Sequence, residues 1–218
     1  MIDLSGSQPF AEGGNRWCFQ HPHNPNRCLK VVKPGVAEQR FAERAWYRRL
    51  RGPSVTNDNA QEARAYRQRA IIRGGPRICD HLPRFYGQHE TTLGPANELD
   101  FIGAGDQPAP TLDALLREHG LDEVLNARLE ELATWLRQTQ LLTRNLLPHN
   151  MVLHHDGDAQ RIYLIDGIAP PFSARILGLS KRWRSYWVER RIRRMWLRVR
   201  WEARGRKGRW EDVEAADR

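Results

Sequence analysis

A few residues have types and surroundings that suit phosphate chemistry. Lys30 stands inside the apolar run CLKVV, where an ammonium is costly to bury without a partner. Asn150 closes the segment TRNLLPHN, and Asp166 closes the apolar run IYLID. An Asn and an Asp carried by neighbouring strand ends supply hard oxygen ligands. Mg2+ takes such ligands together with substrate phosphates. Gly13 and Gly14, just before a strand-like run, let backbone N–H groups approach a phosphate closely. Each group also has a plainer reading. Lys30 on an edge strand would point to solvent. Asp166-Gly167 is a common turn pair, and Gly13-Gly14 makes a simple tight turn.

Cys18, His21, His23 and Cys28 offer a different chemistry, a four-ligand zinc set. Their pattern, Cys-x2-His-x-His-x4-Cys, departs from the paired spacing of standard structural zinc sites. The two cysteines lie symmetrically in adjacent strand-like runs and also read as small core residues facing each other.

These groups need elements to hold them. Residues 9–33 read as a hairpin, with RWCFQ and RCLKVV as strands and HPHNPN as the turn. Phe41, Ala45 and Leu50 recur at helical spacing, and GPS at 52–54 ends that helix. Asn59 suits the N-cap of a second helix, with Glu62 three residues on as its reciprocal capping acid. LPRFYGQHETTLGPANELDFI reads as two strands around LGPA. APTLDALLREHG is a short helix with Thr111 as cap. Residues 121–142 form the clearest helix, with Leu121, Val124, Leu125, Leu129, Leu132 and Leu136 at spacings of three and four. MVLHH and RIYLID then form a hairpin around DGDA.

The chain of 218 residues carries a formal charge of +9, and the excess is localised. Residues 1–170 hold 20 basic and 20 acidic side chains, whereas residues 171–218 hold 15 and 6. A neutral body with a basic appendage follows. In the tail, Val188, Ile192, Met195, Trp196 and Val199 share one helical face, with arginines and tryptophans elsewhere. Such a helix suits an anionic membrane interface or, less well, nucleic-acid phosphate. It equally suits packing of the apolar stripe on a helical lobe with the arginines in water. Three cysteines make no disulfide framework, and no signal-like or 18-residue apolar run is visible. The expected location is cytoplasmic, with peripheral attachment at the inner membrane surface as an option.

Strands, then helices, then a small hairpin and a basic helix predict a two-lobed α+β protein with a cleft. This order resembles the YrbL family, the PhoP regulatory network proteins, which is related to the protein-kinase-like fold. The resemblance covers roughly residues 4–172. It is carried by CFQHPHNPNRCLKVV, by LPRFYG at 82–87, and by TRNLLPHNMVL and LIDGI. It implies a kinase-like domain over 1–180, with a strand-rich N-lobe to about 102 and a helical C-lobe from about 103. Residues 181–218 follow as the basic amphipathic helix and tail.

The resemblance also implies roles. Lys30 would hold nucleotide phosphates and pair with a helix glutamate, either Glu62 or Glu43. Gly13 and Gly14 would stand for the glycine-rich loop, and Asn150 and Asp166 would hold Mg2+. The catalytic-loop triplet becomes Thr143-Arg144-Asn145, with Leu147 where a lysine would follow. The Asn145 amide cannot take up a proton as a carboxylate does. Arg144 would fix the loop through a carboxylate or simply face water. The expectation is a protein that binds ATP and Mg2+ in the interlobe cleft with weak or absent phosphotransfer, in a regulatory or envelope-stress role. The alternatives are an atypical small-molecule or lipid-headgroup kinase, and an interaction protein that binds no nucleotide. The sequence names no protein partner.

Overall fold

The computed structural model describes residues 1–42, 57–157 and 159–215. The chain divides into two compact units, Met1–Arg67 with Pro83–Pro108, and Gln68–Leu82 with Ala109–Arg218. The first is strand-rich and the second helical, in keeping with the expected α+β class.

In the first unit, five antiparallel strands form one sheet: β1 (Ala11–Glu12), β2 (Arg16–His21), β3 (Asn24–Val32), β4 (Phe85–Thr91) and β5 (Gly94–Asp100). Their spatial order is β1-β2-β3-β5-β4, so β3 is the central strand. Alternation along β3 sends its side chains to two faces, and both are covered. Leu29 and Val31 join Leu4, Phe19 and Ala96 in a buried cluster, with Ile2 and Trp17 packed against it. Cys28 and Lys30 point the other way, and the helix α2 (Asp58–Ala65) lies on that side. The end of α2 is tied down where Tyr66 donates to the Pro83 carbonyl at 2.7 Å and stacks on Phe85. Ahead of it lies the short helix α1 (Val36–Ala42), which buries none of its side chains. Ala45, Leu50 and the GPS break lie outside the described residues.

Three local expectations are corrected. Asn57, not Asn59, caps α2 and accepts from the Ala60 N–H at 3.0 Å. Asn59 is buried, and its amide is spent on the carbonyls of Lys30 and Pro95. The turn before β5 is Thr92-Leu93, and Gly94-Pro95-Ala96 already belong to the strand. Cys18 and Cys28 do not face each other: Cys18 is opposite Lys30 and Cys28 opposite Gln20. A bulge at Gln20/His21 and the hairpin's two-residue tip set that register.

The second unit is built on α5 (Glu123–Thr139), after α3 (Arg69–Arg73) and α4 (Leu112–His119). Asp122 caps α5 by accepting from Leu125 N–H at 2.7 Å, and Gln140 ends it in the left-handed conformation. Leu125, Leu129, Leu132 and Leu136 are buried as the periodicity predicts, but Val124 points to solvent. Thr111 sits at the N-cap of α4 without making a side-chain cap bond. The hairpin of β8 (Met151–Asp156) and β9 (Ala159–Leu164) follows, after the two-residue pair β6 (Gly103–Ala104) and β7 (Gln107–Pro108) of the first unit. His81 holds the hairpin by donating Nδ1–H to the Ile162 carbonyl at 2.7 Å.

The basic helix α6 (Lys181–Ala203), followed by α7 (Trp210–Ala215), is part of this unit and not an appendage to it. Val188, Ile192, Met195 and Val199 are buried, while Trp196 lies at the margin of that face. Among the described residues no helix is long and apolar enough to cross a membrane.

Candidate functional site

In the first unit, the structure brings Lys30 and Glu62 together. Lys30 Nζ lies 2.7 Å from Glu62 Oε1, and both side chains are less than a tenth exposed. The edge-strand reading of Lys30 is overturned, because β3 is central and its helix side is covered. Burying an ammonium here costs several kcal/mol unless a carboxylate meets it with its other lone pairs satisfied. That condition is met. Glu62 Oε2 accepts from Arg16 Nη1 at 3.0 Å and from Asn97 Nδ2 at 2.9 Å. Asn97 stands opposite Lys30 on β5 and is held in turn by Gln88 and the Asn59 carbonyl. Glu62 is therefore an ion-pair residue and not a cap partner. Glu43, the competing glutamate, lies outside the described residues.

Sequence reasoning missed Arg16, Asn59 and Asn97. The signal was present for Asn97, a polar side chain at an inward register position of β5. It was weak for Arg16, which looks like one more surface arginine until the sheet is paired. Gly13 and Gly14 lie in the β1–β2 turn, which is closed by the Gly13 N–H donating to the Arg16 carbonyl at 2.9 Å. Neither has a positive φ, and an added Cβ would meet nothing closer than 3.7 Å. The turn geometry itself does not require glycine at these positions.

In the second unit, the hairpin register places Asn150 and Asp166 at the same end, because Met151 pairs with Leu164. The Ile165 N–H donates to the Asn150 carbonyl at 2.9 Å and extends the ladder to the site. Asp166 is exposed, and its Oδ1 accepts from the Gly167 N–H at 2.6 Å, which fixes the carboxylate plane. Asn150 Nδ2 points to the Asn145 carbonyl at 3.4 Å, so its Oδ1 is turned the other way. Gly167 has φ +77°, and an added Cβ would overlap the Asn145 carbonyl oxygen and lie 2.9 Å from Asn150 Nδ2. Here glycine is required, because the loop of Asn145 closes directly over it.

The loop 143–147 is pinned from several sides. Thr143, buried, donates its hydroxyl to the Gly167 carbonyl at 2.6 Å. Trp187 Nε1 and Arg191 Nη1 of α6 donate to the carbonyls of Thr143 and Arg144 at 2.9 and 3.1 Å. Asn145 and Arg144 present exposed side chains, and Leu147 is half-buried. Asn145, Asn150 and Asp166 thus form one patch of oxygen-bearing groups on a pinned loop. The donor types are those a hard cation such as Mg2+ takes, and Asn150 and Asp166 are the residues that could hold one.

In the first hairpin the register sets Cys18 opposite Lys30 and Cys28 opposite Gln20, so the two cysteines are not direct cross-strand partners. Cys28 is buried, and desolvation pushes its thiol up to about 12. Among the described residues no cluster of three or more His, Cys, Asp or Glu side chains has metal-binding geometry.

A strand-rich unit with a buried Lys–Glu pair and a helical unit with an Asn–Asp loop define an α+β protein of two units. The model of the family "PhoP regulatory network protein YrbL" matches residues 2–203, so the chain belongs to the YrbL family. The match includes α6, beyond the span of the sequence motifs. The "Uncharacterized protein YrbL" of Escherichia coli (strain K12) is 26% identical over 205 residues, covering 91% of this chain and 86% of that protein. The protein of the same name from Shigella flexneri gives the same values. Two crystal structures of the Mycobacterium tuberculosis PknI kinase domain, a single and a double mutant, are also similar. The single mutant has a TM-score of 0.49 and 18% identity, covering 91% of this chain and 75% of its own. The double mutant has a TM-score of 0.44 and 19% identity over 77% of this chain. This chain spans only 60% of that structure's length.

Proposed function

We propose that the protein is kinase-like and binds ATP with Mg2+, with weak or absent phosphotransfer. The observation that carries this reading is the buried pairing of Lys30 with Glu62 at 2.7 Å on the central strand. An ammonium fixed in this way is a preformed partner for nucleotide phosphate oxygens. Asn150 and Asp166 supply the oxygens for a metal that neutralises phosphate charge when bound. The weak-transfer half of the reading rests on Asn145 and Leu147. An amide removes the proton acceptor, and an apolar side chain removes a cation that would offset developing charge. Positioning alone still contributes to phosphoryl transfer, so slow turnover is compatible with this site.

The test is thermal melting with ATP plus Mg2+, with Mg2+ alone and with neither. At a hundredfold excess over the Kd, binding adds about 2.7 kcal/mol, or roughly 5–10 °C for a chain of this size. The shift should vanish in Lys30→Ala and in Asp166→Ala. No shift at millimolar nucleotide would leave a chain that keeps the pairing but has no nucleotide site. A shift that survives both substitutions would place the nucleotide elsewhere.

A further inference from the structure

The second unit exposes an apolar cluster that folding leaves in water. Nine large apolar or aromatic residues are strongly exposed among the described residues, and Ile176, Leu177, Leu179 and Tyr186 are four of them. Ile176 and Leu179 are about three-quarters exposed, at 76% and 74%. Scattered exposed leucines need no explanation, but a cluster does. Nor is the segment a loose end. The 3-10 turn Leu177–Leu179 is held by Arg184, whose Nη1 donates to the Gly178 and Leu179 carbonyls at 2.8 and 3.1 Å. Ser180 then caps α6 by accepting from the Trp183 N–H. The backbone is tied to the helix while the aliphatic side chains face out.

The helix that begins directly after this turn carries a basic stripe. Arg182, Tyr186, Arg190 and Arg193 recur at four, four and three along α6, and all are exposed. They lie on the face opposite Val188, Ile192, Met195 and Val199, which are buried in the unit. Both acids of α6 are already engaged. Glu189 pairs with Arg137, and Glu202 pairs with Arg198 and Arg206. The apolar stripe of α6 is therefore unavailable to any partner, and the opposite face carries net positive charge.

We propose that this surface docks the protein on an anionic membrane. Ile176, Leu177, Leu179 and Tyr186 enter the headgroup boundary, while Lys181, Arg182 and Arg190 meet lipid phosphates. The choice of a membrane over nucleic acid rests on the aliphatic side chains. Phosphate recognition uses the arginines but gains nothing from three exposed aliphatics, whereas the headgroup boundary accommodates both. Trp183 and Trp187 stack on each other at 5.5 Å and Arg191 lies 4.2 Å from the Trp187 ring, so the pair has less ring face left for stacking bases.

The experiment is flotation of the full chain with phosphatidylcholine vesicles, with and without about one third phosphatidylglycerol, at low and high salt. The wild type should bind only the anionic vesicles and lose binding at high salt. Arg182→Gln with Arg190→Gln should weaken binding roughly twenty-five-fold, from about fivefold per basic side chain. Ile176→Ser with Leu179→Ser should weaken it at least about tenfold at unchanged charge. All four side chains are exposed, so these variants should melt like the wild type. Equal binding to neutral vesicles, or none to either, overturns the proposal. So does an aliphatic variant that floats as well as the wild type. If single-stranded oligouridine also binds through the same arginines, the face is a nucleic-acid surface instead.

Discussion

Lys30 and Asn97 stand directly opposite each other on neighbouring strands and reach the same carboxylate. Lys30 Nζ is 2.7 Å from Glu62 Oε1, and Asn97 Nδ2 is 2.9 Å from Oε2. With Arg16 at 3.0 Å, one buried glutamate organises two cations and an amide from three strands. The pairing is thus held within the first unit by its own sheet and helix.

That arrangement makes the two ends of the ion pair unequal. Glu62→Ala removes the carboxylate that both buried cations reach and should cost about 3–5 kcal/mol. Lys30→Met leaves Glu62 with Arg16 and Asn97, and should cost about half as much or less. Urea unfolding of both variants measures the difference. Equal losses, or a larger loss for Lys30→Met, would show that Arg16 and Asn97 do not support the carboxylate.

Two glycine positions separate a required glycine from an incidental one. Gly167→Ala would force its Cβ into a backbone carbonyl oxygen at φ +77°, and should cost about 2–3 kcal/mol. Gly14→Ala meets open space and should stay within about 0.5 kcal/mol of the wild type. Melting temperatures decide this. A harmless Gly167→Ala would mean that the loop over Asp166 yields easily, and that its oxygens are not held in place.

Truncation after Ser180 should unfold the second unit instead of trimming a tail. Val188, Ile192, Met195 and Val199 each contribute about 1.5–3 kcal/mol on burial. Their sum is comparable with the roughly 5–15 kcal/mol that stabilises a typical domain. The Thr143 and Arg144 carbonyls would also lose their donors from α6. Near-ultraviolet circular dichroism and dye binding report the loss of packing. A cooperative melt at the wild-type temperature would show α6 to be dispensable.

His81 should make the protein less stable in mild acid. Burial holds its pKa below the ordinary 6.5, and the Ile162 carbonyl only partly opposes this. As pH falls through 6.5, the unfolded chain takes up a proton that native His81 still refuses. The unfolded state then binds more protons, so the contribution present above that pH is lost as pH falls. Comparing wild type with His81→Gln at about pH 7.5 and about pH 5 isolates the effect, since the variant should lose less stability. An identical slope in both would assign the acid sensitivity to other groups.

Composition and periodicity alone made much of this legible. The first hairpin, the helix over 123–139 and the late hairpin follow from alternation and from spacings of three and four. Lys30 could be singled out because an ammonium in an apolar run must be paired or used, and Asn150 and Asp166 because they place oxygen-bearing groups at neighbouring strand ends. Glu62 as the partner of Lys30 was implied only by the family resemblance, with Glu43 as its rival. Local signals misplaced the cap at Asn59, since Asn57 and Asn59 look alike until one of them is buried.

What the chain order could not decide was which surfaces are free. Cys18 and Cys28 look symmetrical on paper, yet register alone sets their partners. The basic helix looks like an appendage by charge, yet its Val188, Ile192, Met195 and Val199 are core. Burial and register are properties of elements meeting in space, and one sequence strip cannot contain them. The sequence itself determined the inventory: one ammonium, the oxygen-bearing groups and the elements that carry them. Tertiary packing decided that Glu62 serves Lys30, that Gly167 must remain small, and that Arg182 and Arg190 of α6 are exposed while its apolar stripe is not.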